Sequence, residues 1–236
     1  MSARQDRRDS ALLGRRLMRA SDRAALATSL LGAPYTSLVL VAADLDASPL
    51  LLLSDLAQHS RNIAADPRVS LLLDGTEGKA DRLDGPRLSV LGQAKAVSDP
   101  VLLARFIAHQ PSAALYAGFA DFHLYRIAVQ RGHLVAGFGR IEWIEREQLL
   151  FAGDTAAIAA AEPELLRRLN EAGEVPLDRL AQRALGLEGE GWRIVGIDPE
   201  GIGLRRAGAV ARLDFPQPAA TPEAVLAELR RRAQKP

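Results

Sequence analysis

The residues best suited to chemistry lie close together, in the segment SDLAQHSRN that runs from Ser54 to Asn62. Ser60, Arg61 and Asn62 open a short turn of chain that continues through Ile63, Ala64 and Ala65. Such a triplet at the mouth of a helix suits a phosphate. Unpaired backbone N–H groups at a helix start attract anions, and a guanidinium adds a two-pronged grip on phosphate oxygens. Ser54 closes the preceding apolar run and brings a second hydroxyl to the same place. The same residue types also have ordinary structural uses, Ser and Asn as helix caps and Arg as a solvated side chain. The spacing alone leaves both readings open. His59 reads as a surface polar residue or a hydrogen-bonded spacer.

The elements that must position these groups follow from the pattern around them. Tyr35–Leu45 alternates and then becomes continuously apolar, and Pro49–Asp55 follows an Asp46-Ala47-Ser48-Pro49 turn, which predicts a hairpin of buried strands. Asp66-Pro67 stops the short helix, because a residue before proline avoids the helical region, and Arg68–Asp74 resumes a strand. Upstream, Leu12, Leu13, Leu17, Leu26 and Leu30 among charges predict one or two amphipathic helices between Ser10 and Leu31. Downstream comes a polar loop from Gly75, then the strand pattern RLSVLGQAKAV, with Gly92 marking a bulge or a close approach. Asp99-Pro100 reads as the start of a helix with Leu102, Leu103, Phe106 and Ile107 on its buried stripe. From Phe122 to Ile144 at least two strands are expected around a turn at Arg131-Gly132. Many strands with few helices set to one side favour a closed or split barrel.

Near Leu150 the character changes. Two helical segments, a three-stranded meander with turns at Asp198–Gly201 and Ala207-Gly208, and a last helix after Thr221-Pro222 describe a small α+β unit. The expected organisation is a mainly β, α+β chain with a domain over residues 1–150 and another over 151–236.

Composition narrows the function classes. The 236 residues are 48% apolar and carry a net charge of +1, so the chain can bury a substantial core and offers no clustered excess of cations for nucleic acid. There is no cysteine, which removes disulfides, thiolate nucleophiles, iron–sulfur clusters and zinc–thiolate sites. Redox chemistry would need a bound cofactor. No apolar run approaches the ~20 residues of a membrane span, so a cytoplasmic protein is expected. Gly137 and Gly139 superficially suggest a dinucleotide fingerprint, but Glu142 stands where the third glycine belongs. His59, His109, His123 and His133 lack metal-ligand spacing. Trp143 and Trp192 read as core or rim aromatics, or as surfaces on which a planar ligand could stack.

Taken in order, LLLSDLAQHSRNIAADPRVSLLL, RLSVLGQAKAV, ALYAGFADFHLYRI and LVAGFGRIEW resemble the pyridoxamine 5′-phosphate oxidase-related flavin-binding split barrels, in particular their haem-utilisation (HugZ-type) branch. The resemblance extends to the C-terminal unit through GWRIVGIDPEGIGLRRAGAVARLDFP. It implies an FMN-binding split β-barrel with flanking helices, a small C-terminal α+β domain, and a homodimer with flavin sites between subunits. It further implies Ser54, Ser60 and Arg61 as phosphate contacts, with Asn62 standing where the family has Lys and Arg87 near the place of a family Gln. The implied function is an FMN-dependent oxidoreductase-like protein acting on a small molecule. Haem binding or breakdown, or a non-enzymatic regulatory dimer, stand as alternatives. A Met-Asn-x-Asp-His type segment common in that branch reads RLNEAGEVPLDRLA here, without the histidine. A haem site would then fall to His123 or His133. Asp121 precedes His123 by two and would share its face of a strand, the partner an axial ligand needs.

Overall fold

The computed structural model describes residues 3–137, 140–171 and 173–234, so Gly139 lies outside the described residues. The chain divides into two compact units, Met1–Ala152 and Gly153–Pro236.

In the first unit, helix α1 (Ala3–Ala20) is followed by strands β1 (Arg23–Leu30) and β2 (Ala33–Leu40). The expected second helix is therefore a strand. Leu26 and Leu30 are four apart, a spacing that shares a face in a helix and in a strand alike. What decides is pairing: β1 runs antiparallel to β2 over its whole length and points Ala24, Leu26 and Thr28 inward. The expected Tyr35–Leu45 strand is likewise split. Its first part belongs to β2, while β3 (Ala42–Ala43) alone makes a hairpin with β4 (Pro49–Ser54). Arg126 binds Asp44 and Asp46 at 2.8 and 2.6 Å, which pins the turn leading into β4.

Helix α2 (Gln58–Ala65), β5 (Arg68–Asp74) and β6 (Pro86–Val97) follow, then α3 (Pro100–His109) and β7 (Phe122–Ala136). The anticipated turn at Arg131-Gly132 lies inside β7, and the chain instead reverses between Ala136 and β8 (Ile141–Glu145). Gly132 is there for close packing, since a Cβ would come within 2.8 Å of Leu149 and 3.0 Å of Leu88. Gly92 is the expected bulge. The β6–β7 register shifts there, and a Cβ would stand 2.5 Å from the Ala128 carbonyl oxygen.

The sheet order is β2-β1-β5-β6-β7-β4-β3, with β8 also pairing β7. One edge of β7 is thus shared: β4 pairs with its first half and β8 with its second. That branching makes the barrel split. Leu26, Leu51, Leu71, Leu73, Leu88, Val90, Ile127, Leu134 and Ile144 fill the interior with α1 and α2 residues, and a second cluster around Phe106, Leu50 and Leu124 lies under α3.

The short helix α4 (Arg146–Leu149) ends the first unit. In the second, helices α5 (Ala156–Glu171), α6 (Leu177–Leu185) and α7 (Pro222–Gln234) accompany an antiparallel sheet of β9 (Arg193–Asp198), β10 (Gly201–Arg206) and β11 (Ala209–Asp214). The Arg212 side chain, 6% exposed, lies between Asp198 and Asp214, at 2.8 and 2.7 Å. Among the described residues no helix is long and apolar enough to cross a membrane.

Candidate functional site

The join between β4 and α2 is built by β7. The Asp55 N–H donates to the Asp121 carbonyl at 2.8 Å, and the Ser54 hydroxyl donates to Asp121 Oδ2 at 2.6 Å while accepting from Leu56 N–H at 3.1 Å. Ser54 is therefore held against a carboxylate. Asp121 is a participant that the sequence pattern did not assign to this place; it comes from 67 residues away.

Helix α2 starts without a side-chain cap. Ala57 occupies the N-cap position, so the first backbone N–H groups must find partners outside the helix. Along the helix, Ile63 enters the barrel core, and Asn62 donates to Thr28 Oγ1 at 2.9 Å while accepting from Gln58 Nε2 at 2.8 Å. Both ends of the Asn62 amide are engaged in tying α2 to β1. His59 Nδ1 lies 3.1 Å from Ser37 Oγ, and its buried Nε2 has no hydrogen-bond partner. Burial pushes this imidazole below its ordinary range, so it is neutral at neutral pH. Ser60 is 4% exposed and its hydroxyl also lacks a partner. A buried hydroxyl left unpaired is costly and calls for a ligand or a water. Beside it, Arg61 is exposed and its guanidinium has no ion-pair partner among the described residues.

Arg87 lies elsewhere. It opposes Asp74 at the far end of β5 from α2, roughly 20 Å along the strand from Arg68 at ~3.4 Å per residue. Its Nη1 donates to the carbonyls of Arg82, Leu83 and Gly85 at 3.3, 2.9 and 3.3 Å, tying down the loop before β6. Within one chain, Ser54, Ser60, Arg61 and Asn62 are brought together and Arg87 is not.

His123 does find an orienting carboxylate, but it is Asp55, 2.9 Å from Nε2, because Asp121 is taken by Ser54. Tyr125 follows on the same face of β7, and its phenol is pushed up by burial and then by Asp55. His133 instead stacks on Trp143 with ring centres 4.5 Å apart, and Arg131 lies 4.3 Å from the same indole. In the segment that lacks the branch histidine, Asn170 exchanges two hydrogen bonds with the backbone of Ile194, and Asp178 accepts from Trp192 N–H. Those side chains hold the second unit together. Among the described residues, no group of three or more His, Asp or Glu side chains is placed to hold a metal ion.

Known proteins share this architecture. The sequence model for pyridoxamine 5′-phosphate oxidase matches residues 15–136. A protein of unknown function from Agrobacterium tumefaciens is 31% identical over 94% of both chains, with a TM-score of 0.80. A haem-binding protein from Mycobacterium smegmatis is 26% identical over 95% of this chain and 97% of its own, with a TM-score of 0.55. A chloroplastic haem oxygenase of Arabidopsis thaliana, HOZ, is 34% identical over 109 residues, which are 45% of this chain and 33% of that protein. The chain thus spans about a third of the length of the curated relative it matches. Because the family's sequence model covers residues 15–136, more than half of its length, the chain belongs to the pyridoxamine 5′-phosphate oxidase family.

Proposed function

We propose that the chain is an FMN-binding, oxidoreductase-like protein whose flavin phosphate rests on the first turn of α2. One observation carries this reading: an uncapped helix start with a buried, unpartnered Ser60 hydroxyl stands next to the unpaired guanidinium of Arg61. These donors fit a phosphate, which accepts several hydrogen bonds at once. Ser60 and Arg61 would hold it. Ser54 would contribute only at the rim, because its proton is committed to Asp121 and the two carboxylates Asp55 and Asp121 oppose an anion there. Asn62 would serve by holding α2 in place. When bound, the isoalloxazine would supply hydride or electron transfer to a small molecule, the protein supplying grip and polarity.

A homodimer accompanies this reading. On the outer face of the sheet, Leu38, Ala25, Leu72, Ser89, His133 and Trp143 stand opposite one another in one row across six strands. Leu38, Leu72 and Trp143 are 74, 44 and 52% exposed, and Leu40 and Ile141 extend the apolar face. The solvated face of an antiparallel sheet is ordinarily polar, whereas here five large apolar side chains stand exposed among the polar residues of that face. A second copy of the same face would cover it.

A haem-binding reading rests on a different observation, the half-exposed His123 oriented by Asp55, together with haem-named relatives. Here Nε2 faces the carboxylate, leaving Nδ1 as the open nitrogen. The absorbance of freshly purified protein separates the readings. A flavin envelope restored by FMN but not by riboflavin supports the phosphate site, and equal affinity for both flavins overturns it. A sharp Soret band with haemin that His123→Ala abolishes would make haem the ligand instead.

A further inference from the structure

The polar side chains of α2 divide into two groups. Gln58 and Asn62 bond to one another and Asn62 to Thr28, whereas His59 Nε2 and Ser60 Oγ are buried without a hydrogen-bond partner. Ser60 is 4% exposed. His59 as a whole is only part-buried, so its ring lies beneath a surface that a ligand can reach. An unpaired buried polar atom costs free energy in the ligand-free chain, and here two such atoms stand on consecutive residues of one helical turn.

The two atoms suit different groups of a ligand. Ser60 adjoins the exposed guanidinium of Arg61, and together they address an anion. His59 carries no charge at neutral pH, because burial depresses its pKa. A neutral imidazole has one N–H and one bare nitrogen, and Nδ1 is already taken by the Ser37 hydroxyl at 3.1 Å. Where Ser37 donates to Nδ1, Nε2 carries the proton and needs an acceptor; where Ser37 accepts, Nε2 is bare and needs a donor. A phosphate oxygen meets only the first need. A hydroxyl meets either, since it both donates and accepts.

We propose that the start of α2 recognises a phosphate monoester of a polyol, with Ser60 and Arg61 on the phosphate and His59, held by Ser37, on the hydroxyl beside the phosphate-bearing carbon. This rests on the phosphate reading above and adds a residue that sets specificity. In FMN the hydroxyl is that of the ribityl carbon next to the phosphate ester. Riboflavin and inorganic phosphate each offer half of the pattern. A site built to hydrogen-bond a hydroxyl rejects the analogue that lacks it, because the polar group of the site is then left unpaired.

The test is titration of the full chain at neutral pH with FMN, its 4′-deoxy analogue and riboflavin, read by flavin fluorescence. The parent should bind FMN about tenfold more tightly than the deoxy analogue, as the loss of one hydrogen bond to a buried group does. His59→Phe keeps a ring but no nitrogen and should bind the two alike, while still preferring both to riboflavin. Ser37→Ala, which frees the ring without removing it, should narrow the ratio and serves where His59→Phe does not fold. Arg61→Ala should weaken both flavin phosphates by the same factor. Equal binding of FMN and the deoxy analogue by the parent, or the parent's ratio retained in His59→Phe or in Ser37→Ala, would overturn the proposal. If the parent binds the two flavin phosphates alike but riboflavin more weakly, only the role of His59 falls; if all three bind alike, the phosphate reading falls with it.

Discussion

Two helices of the barrel begin in opposite ways. At the start of α3, Asp99 accepts hydrogen bonds from Val101 N–H and Leu102 N–H, and Pro100 removes one further donor. At the start of α2, Ala57 offers no side-chain acceptor, and of the polar side chains in the first turn His59 and Ser60 each keep a buried atom without a partner. Both helices pack on the same barrel, so the difference does not follow from burial. One helix start is completed by the chain's own residues, while the other lacks a side-chain cap and keeps polar atoms without a partner, which the proposed phosphate would use.

Replacing Arg61 by Ala tests this contrast most strongly. FMN affinity should fall by about 1.5–3 kcal/mol, the range for a hydrogen bond to a charged group, with the melting temperature of ligand-free protein unchanged. Flavin fluorescence titration and a thermal melt check both parts, and a variant that unfolds would make Arg61 structural. Asn62→Ala should do the reverse. It leaves Thr28 and Gln58 without their partner and should lower stability by about 1–3 kcal/mol in a urea titration. At α3, Asp99→Ala should cost about 1 kcal/mol of stability and leave flavin affinity alone. Ala57→Asp should bring α2 into line with α3. A new cap is expected to stabilise the ligand-free protein by about 1 kcal/mol, and its negative charge should weaken FMN. If that variant binds FMN as well as the parent, the helix start does not hold the phosphate.

The smallest expected effect is a pH dependence. Burial lowers the folded-state pKa of His59 below its unfolded value near 6.5, so the unfolded chain takes up a proton first as pH falls. Its contribution to stability is complete above pH 6.5 and declines as pH drops from there toward the lowered value. Urea midpoints measured between pH 5 and pH 8 should show this decline in the parent and less of it in His59→Gln. A decline of the same size in both would assign it to other groups.

Several features were legible because they depend on neighbours in the chain. Asp99-Pro100 and Thr221-Pro222 open helices as their residue types dictate, Asp66-Pro67 ends α2, and the meander turns at Asp198–Gly201 and Ala207-Gly208 stand where expected. Ser54, Ser60, Arg61 and Asn62 lie in one short segment, so their proximity needed no fold. Other features were ambiguous locally. Leu26 and Leu30 fit a helix and a strand equally, and Arg131-Gly132 has the residue types of a turn although it lies inside β7.

The sequence by itself determined several of the strands, the helix boundaries set by caps and prolines, and the closeness of Ser54, Ser60, Arg61 and Asn62 in one short segment. These are consequences of backbone conformational preference and of hydrophobic period, which act over a few residues. Only the tertiary structure decided which donors are available. The carboxylate of Asp121 reaches Ser54 through the β4–β7 pairing, and Asn62 is engaged by Thr28 of β1. The same β6–β7 and β5–β6 ladders carry Arg87 to the opposite end of the sheet. Strand register brings together residues far apart in the chain, and a hydrogen bond to one of them decides whether a polar side chain is left for a ligand or is already part of the framework.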